Sequence, residues 1–285
     1  MRTLLPRASL ASFATAHLVV ALLSTAATSC ATLRAVVADA NRVQTFASPS
    51  PAERRVVHGI ESACAAGSIT WIVPVNGGVV LVDAGFDETG AQITKALRGR
   101  RVLAVLLTHG HLDHRSAAHL FGAPVYVGEG DLDLVRGERI TGSVVGRLGD
   151  IIGTPPIPRA LLGVDDGEVL MIGMRRFTVV ALPGHTPGSV GWKHGRLLFT
   201  GDAVQGPLGD GELWPAPPTV TDDMRMAYAS MRKLVTLDVD TVLDGHFGRT
   251  DGVNAAAMRA VRRVHSDDEL LEHPAIRPAG CAETP

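Results

Sequence analysis

Between residues 68 and 83 the hydrophobic positions run as they do in a sheet. Residues 68–75 are rich in Ile, Val and Trp, Asn76-Gly77 is a hairpin turn, and residues 79–83 resume the apolar run. This predicts an antiparallel pair. The period then lengthens: residues 88–98 place Ile93 and Leu97 on one helical face, and 101–107 form a short continuous apolar strand ending at Thr108. A second unit follows, with a short helix over 113–120, a strand over 124–127 and a helix over 129–136. Residues 137–163 differ. Gly and Pro recur there around Val144-Val145 and Ile151-Ile152, so the segment reads as a long ordered loop or lid. Strands are predicted again over 168–172 and 176–182, then a hairpin of 190–194 and 196–200 turned by Gly195. Two sheets are therefore expected. Residues 222–235 set Met224, Ala227, Tyr228, Met231, Leu234 and Val235 at helical spacing, a stripe read as core packing. A last short strand over 241–243 and a helix over 253–264, with Arg259, Arg262 and Arg263 on its solvated face, complete the pattern.

The first 29 residues follow a different rule. Arg2 and Arg7 precede an uncharged run, residues 8–29, rich in Leu, Val, Ala, Ser and Thr, which is the pattern of a secretory signal peptide. Its most apolar stretch, residues 18–23, is too short for a membrane span of about 20 residues. Ala27-Thr28-Ser29-Cys30 resembles a bacterial lipobox, which implies a lipid on Cys30 and a periplasmic or outer-membrane lipoprotein; simple signal cleavage would instead give a secreted protein. Residues 30–55 mix Ala, Ser and Pro and read as a tether. The catalytic-size domain is expected over 56–266, with a tail over 267–285.

Composition narrows the partners. The chain has 285 residues, 46% hydrophobic and 20% charged, so its bulk is globular. With 27 Lys+Arg against 29 Asp+Glu the net charge is -2, which leaves no broad basic field for nucleic acid. The cysteines, Cys30, Cys64 and Cys281, are too few for a disulfide framework and lack the CxxC spacing of a zinc ribbon. In an oxidising compartment Cys64 and Cys281 form a candidate pair.

Candidate chemistry is concentrated in His109-Gly110-His111-Leu112-Asp113-His114, directly after an apolar strand. Imidazoles at a strand's C-terminal end can point into a cleft, and neutral imidazole nitrogens with a carboxylate suit zinc. Crowding these groups without a metal would set charges or unpaired donors against one another. The same setting, a strand running into a Gly-containing turn, recurs at Leu182-Pro183-Gly184-His185-Thr186-Pro187-Gly188, Phe199-Thr200-Gly201-Asp202 and Leu243-Asp244-Gly245-His246. Each is weak alone. Together they converge on one site.

With these motifs, and with Leu81-Val82-Asp83-Ala84-Gly85, residues 68–264 resemble the metallo-β-lactamase-fold hydrolases. The resemblance implies an α/β fold, a four-layer αβ/βα sandwich of two mixed β-sheets flanked by helices. It also implies a small-molecule substrate and two zinc ions, the first on His109, His111 and His185, the second on Asp113, His114 and His246, with Asp202 bridging them. The donor set suits iron and manganese as well. Asp83 is implied as the buried carboxylate that orients the metal loop. Two such cations, about 3.5 to 4 Å apart, acidify a shared water. The hydroxide attacks a carbonyl or phosphoryl centre, and Asp113 is the candidate catalytic acceptor of its proton.

Within the superfamily, Asp202 narrows the choice. Metallo-β-lactamases generally place Cys or Ser there, whereas glyoxalase II and the lactonases place Asp. Only 39 residues follow His246, fewer than the glutathione-binding helices of glyoxalase II need. Asp202-Ala203-Val204-Gln205 lacks the Tyr usual in quorum-quenching lactonases. The expected activity is hydrolysis of an ester, thioester or lactone; β-lactam amide hydrolysis, phosphodiester hydrolysis and a non-catalytic metal-binding module are the alternatives. The loops over 137–163 and 205–219, with Trp214, are the candidate substrate walls, whereas Trp71 and Trp192 are read as core or face residues.

Overall fold

A computed structural model describes residues 56–57, 59–65, 67–144, 146–147, 155–206 and 213–253. The signal peptide, the tether with Cys30, the helix expected beyond Val253 and the tail with Cys281 lie outside the described residues.

The first sheet has seven strands in sequence order: β1 (Val56–Val57), β2 (Ile60–Ala65), β3 (Ser68–Val75), β4 (Gly78–Val82), β5 (Val102–Leu106), β6 (Val125–Gly128) and β7 (Leu161–Val164). β1 to β4 pair antiparallel through short turns. From β4 to β7 the pairing is parallel, because helical crossovers separate those strands. The second sheet has six, β8 (Val169–Ile172), β9 (Arg175–Ala181), β10 (Val190–His194), β11 (Leu197–Gly201), β12 (Thr241–Asp244) and β13 (Arg249–Asp251), all antiparallel except β11 with β12.

Alternation along the strands explains how the layers stack. Ile69, Trp71, Val73, Val80, Val82 and Leu106 of the first sheet share one cluster with Phe177, Val179, Trp192, Phe199 and Leu243 of the second, so the sheets face each other. The opposite face of the first sheet, with Ile72, Val79, Leu81 and Val105, packs on Ile93 and Leu97 of α1 (Ala91–Leu97). The opposite face of the second, with Val180, Leu198 and Val242, packs on Tyr228, Met231 and Leu234 of α4 (Met224–Leu234). The architecture is therefore the expected sandwich of two mixed sheets with helices outside, and the Met and Tyr stripe of residues 222–235 is core packing.

The structure corrects several local expectations. α1 begins at Ala91 rather than near residue 88, because the Asp87 carboxylate accepts from Thr89 N and Ala91 N at 3.0 Å each and closes a turn first. The helix expected over 113–120 stops after one turn, α2 (Leu112–Arg115), and resumes as a 3-10 turn. His114 O accepts from Ala84 N and Gly85 O from Ser116 N, so the backbone bonds to the loop after β4 as well as to itself. The helix over 129–136 opens as a 3-10 turn and becomes α3 (Leu132–Arg136). The segment 137–163 is not loop throughout: its end enters β7, whose Leu161 pairs with Val125. β1, β2, β7 and β13 are strands that the hydrophobic pattern does not predict. β2, Ile-Glu-Ser-Ala-Cys-Ala, has Ile60 as its one large apolar residue, and Glu61 is accommodated by a bidentate bond to Arg100 at 3.0 and 2.9 Å.

The sheets are sewn together at the rim where the strands end. Trp71 of the first sheet donates from Nε1 to Asp244 O of the second at 3.0 Å, and Trp192 of the second donates to Leu107 O beyond β5 at 2.9 Å. Two backbone bonds, Ile69 N to Gly245 O at 2.7 Å and Val190 N to Thr108 O at 2.8 Å, run alongside. Both tryptophans are core residues. Cys64 is disulfide-bonded; Cys30 and Cys281 lie outside the described residues. Among the described residues no helix is long and apolar enough to cross a membrane.

Phe199 fills the space between the sheets, its ring 6.3 Å from that of Trp71. Phe199→Ala should destabilise the domain by about 3–5 kcal/mol. Denaturant unfolding of both proteins measures this, and a change below about 1 kcal/mol would contradict the packing described.

Candidate metal centre

Every candidate side chain follows the end of a strand: His109 and His111 lie in the loop after β5, Asp113 and His114 on α2 directly behind it, His185 after β9, Asp202 after β11 and His246 after β12. Gly201 makes one such turn possible: its φ is 52°, and a Cβ there would lie 2.0 Å from Thr108 Oγ1. Asp83, after β4, has a φ of 61° although it is not glycine. Its carboxylate accepts from Thr108 N at 2.7 Å and Thr108 Oγ1 at 2.9 Å, and from His114 Nδ1 at 2.8 Å.

The seven residues fall into two groups. In the first, His185 Nε2 lies 3.1 Å from His109 Nε2 and 2.9 Å from His111 Nδ1. In the second, His246 Nε2 lies 3.4 Å from both His114 Nε2 and Asp113 Oδ2, and Asp202 Oδ1 stands 3.4 Å from His114 Nε2 and 3.2 Å from His246 Nε2. Asp202 also reaches the first group, its Oδ2 3.7 Å from His185 Nε2. All are buried except Asp113, whose side chain is 36% exposed.

The outer hydrogen bonds settle which ring nitrogens carry protons. Thr108 Oγ1 gives its hydrogen to the Asp83 carboxylate, so towards His109 Nδ1, at 3.1 Å, it can only accept. Thr221 Oγ1 donates to Ala216 O and so can only accept from His185 Nδ1 at 3.4 Å. Asp83 and the Gly67 carbonyl likewise accept from Nδ1 of His114 and His246. With Nδ1 protonated, His109 and His185 turn an Nε2 lone pair inward, as His114 and His246 do when neutral, whereas His111 turns Nδ1 inward. Lone pairs converging at about 3 Å repel one another unless a cation lies among them. The buried Asp202 Oδ1 has no donor when His114 and His246 are neutral, and then has the same requirement. The donors therefore fit metal ions, and nitrogen with carboxylate oxygen is a set that suits zinc.

Electrostatics divides the two groups. Burial pushes His111 down to about 4, His185 down to about 3 and His109 well below the ordinary histidine value, so the first triad is neutral. Burial opposes charge in the second group too, but there the carboxylates prevail. Asp113, Asp202 and Asp83 hold His114 well above its ordinary value, and Asp202 with Asp113 raises His246 to about 10. Burial would raise both aspartates, yet His114 and His246 hold Asp113 and Asp202 well below the usual carboxylate range. Without a metal, protons supply the positive charge there.

The sequence reading did not assign Asp244, buried at 1% exposure. Its Oδ1 accepts from the backbone N–H groups of His246, Phe247 and Gly248, and its Oδ2 from Gly206 N at 3.0 Å. It ties the Asp202 loop to the His246 loop. Burial raises its pKa. The available signal was an aspartate two residues before a candidate ligand at a strand end. Trp214 pairs backbone to backbone with Gln205 at 2.8 Å in a strand-like bridge and is half-buried.

Two facing sheets with histidines and aspartates gathered at their shared rim define a metal-dependent hydrolase of the αβ/βα class. A family model of the metallo-beta-lactamase superfamily matches residues 64–246, and the chain belongs to that superfamily. It is 29% identical over 203 residues to a probable metallo-hydrolase, YflN, of Bacillus subtilis, covering 59% of this chain and 74% of that one. It is 32% identical over 154 residues to a hydroxyacylglutathione hydrolase of Cereibacter sphaeroides, covering 53% of this chain and 51% of that one, so it spans about half that relative's length. A B3 metallo-beta-lactamase with an active-site glutamic acid superposes with a TM-score of 0.59 at 22% identity, over 81% of this chain and 94% of that one, and shares the fold.

The two groups predict an unusual pH profile for protein stripped of metal. His114 and His246 are raised, so their stabilisation is full below about pH 6.5 and is lost as pH rises towards 10. His111 and His185 are lowered, so theirs is full above about pH 6.5 and is lost as pH falls towards 4 and 3. The melting temperature of chelated protein should therefore peak near pH 6.5 and fall on both sides. A flat profile between about pH 6.5 and 9 would refute the proton-filled second group.

Proposed function

We propose that this chain is an exported dinuclear zinc hydrolase that cleaves a carbonyl ester, thioester or lactone in a small-molecule substrate. The carrying observation is Asp202, whose one carboxylate reaches both groups, 3.2 Å from His246 Nε2 and 3.7 Å from His185 Nε2. His109, His111 and His185 would hold the first ion, and Asp113, His114 and His246 the second, with Asp202 between. Two bound cations would acidify a water between them and polarise the substrate carbonyl.

The chain's own residues supply the rest. Asp113 is the only member of the set with substantial solvent exposure, so it faces the side from which substrate enters. Its carboxylate can take the nucleophile's proton and pass it to the leaving oxygen or sulfur. Asp83 holds the His114 ring and the Thr108 backbone, and Asp244 holds the loop that carries His246. A carboxylate at position 202, in place of Cys or Ser, favours the ester, thioester and lactone branch over β-lactam amides. Export is supported by the N-terminal signal pattern and by the disulfide at Cys64, since such bonds persist in oxidising compartments. Cys30 would carry the lipid if Cys64 is bonded to Cys281.

Purified protein never exposed to chelator should carry about two zinc ions per chain by elemental analysis. Asp202→Asn keeps the shape but removes a charge from between two dications, and should lower both zinc retention and turnover of thioester or lactone by at least about 10-fold. Full zinc and full rate in the variant would remove Asp202 from the site. Turnover of β-lactams alone across an ester, thioester, lactone and β-lactam panel would overturn the substrate class. Fatty-acid labelling of the expressed chain should disappear in Cys30→Ala; an unlabelled wild type would reject lipidation while leaving export standing.

A further inference from the structure

Asp131 is a fully buried carboxylate that belongs to neither group. It sits at the corner between β6 and α3, and all its acceptor capacity is used. Oδ2 accepts from Gly110 N at 2.8 Å and from Thr186 Oγ1 at 2.6 Å. Oδ1 accepts from Gly188 N at 2.9 Å and from Arg139 at 3.1 Å. Gly110 stands between His109 and His111, and Thr186 directly follows His185. One carboxylate thus clamps together the two loops that bear the first triad. The first of these loops follows the first sheet and the other follows the second, so no strand pairing can set their spacing.

The surrounding backbone is shaped for this contact. A Cβ on Gly128 would lie 2.0 Å from Gly188 O, one on Gly188 would lie 2.2 Å from Asp131 N, and one on Gly130 would lie 3.0 Å from Gly188 N. Three glycines clear the space in which the Asp131 corner meets the 184–188 loop. Arg139 supplies the counter-charge and also donates to Gly130 O at 3.0 Å.

We propose that Asp131 is the positioning residue of the first metal group: by holding Gly110 N–H and the Thr186 hydroxyl on one oxygen, it fixes the convergence of His109, His111 and His185, and its loss lowers metal affinity at that group while leaving the second group unaffected. This rests on the two-group reading of the site. Asp131→Asn retains size but turns an amide N–H₂ towards existing donors. Thr186→Val removes one of the four bonds without touching the carboxylate, and serves if Asp131→Asn does not fold.

The test separates the groups by deleting one at a time. Zinc affinity is measured by chelator competition for full-length protein carrying His246→Ala, which leaves the first triad, or His185→Ala, which leaves the second group. Each is compared with and without Asp131→Asn, and with and without Thr186→Val. In the His246→Ala background either second change should weaken zinc binding by about 10-fold or more, the range found when outer partners of metal ligands are lost. In the His185→Ala background it should change binding by less than about 2-fold. Equal losses in both backgrounds would show general loosening and overturn the proposal, as would no loss in the first. Failure of His246→Ala protein to bind zinc at all, with Asp131 intact, would also overturn it. Wild type that binds one ion rather than two would remove the dinuclear reading, and the His246→Ala arm would then decide the proposal alone.

Discussion

The structure depends on keeping four segments that carry imidazoles and carboxylates together in a largely buried place. Apart from Asp113, the inward-facing side chains are buried. Burial of this kind costs several kcal/mol per charged group when charge is unbalanced. In the first group the histidines respond by staying neutral; in the second, protons on His114 and His246 balance Asp113 and Asp202. A dication does the same more completely, which couples metal affinity to proton release and to folding. The rest of the fold serves to prevent the loops from relaxing apart.

That restraint comes from three buried aspartates outside the inward-facing set. Asp83 joins the end of β4 to Thr108 and His114, Asp244 joins the Asp202 loop to the His246 loop, and Asp131 joins the first histidine loop to the His185 loop. Each accepts mainly from backbone N–H groups or small hydroxyls. A carboxylate makes a good clamp because it offers about four acceptor directions and no donors, so one side chain can satisfy N–H groups from two segments at once.

The sequence made the inward-facing residues legible and left the clamps mostly obscure, for a physical reason. His109 to His114, His185, Asp202 and His246 cluster by type and follow apolar strands, so their chemistry shows in residue identity. Asp131 and Asp244 act on Gly110, Gly188, Gly206 and Gly248, whose contribution is a backbone N–H that no side-chain pattern reveals. The same division holds for the fold. β3, β4, β9 and β10 were readable to within about a residue because their apolar alternation is strong. β2 and β13 carry Glu61, Ser62, Arg249 and Asp251, and β7 emerges from a Gly and Pro-rich stretch, so neighbouring strands rather than their own composition make them strands. The helix over 113–120 was cut short by bonds to a loop some thirty residues earlier in the chain, which no local window contains.

The reciprocal tryptophans, Trp71 reaching Asp244 O and Trp192 reaching Leu107 O, place an inter-sheet seam directly beneath the histidines. His109, His111, Asp113 and His114 hang from one side of that seam, and His185, Asp202 and His246 from the other. An ion held by donors from both sides is therefore a removable rivet across the sandwich. Slow opening of the two halves would begin at this rim, and amide exchange at Ile69 and Val190, whose N–H groups cross the seam, reports whether the rivet is in place.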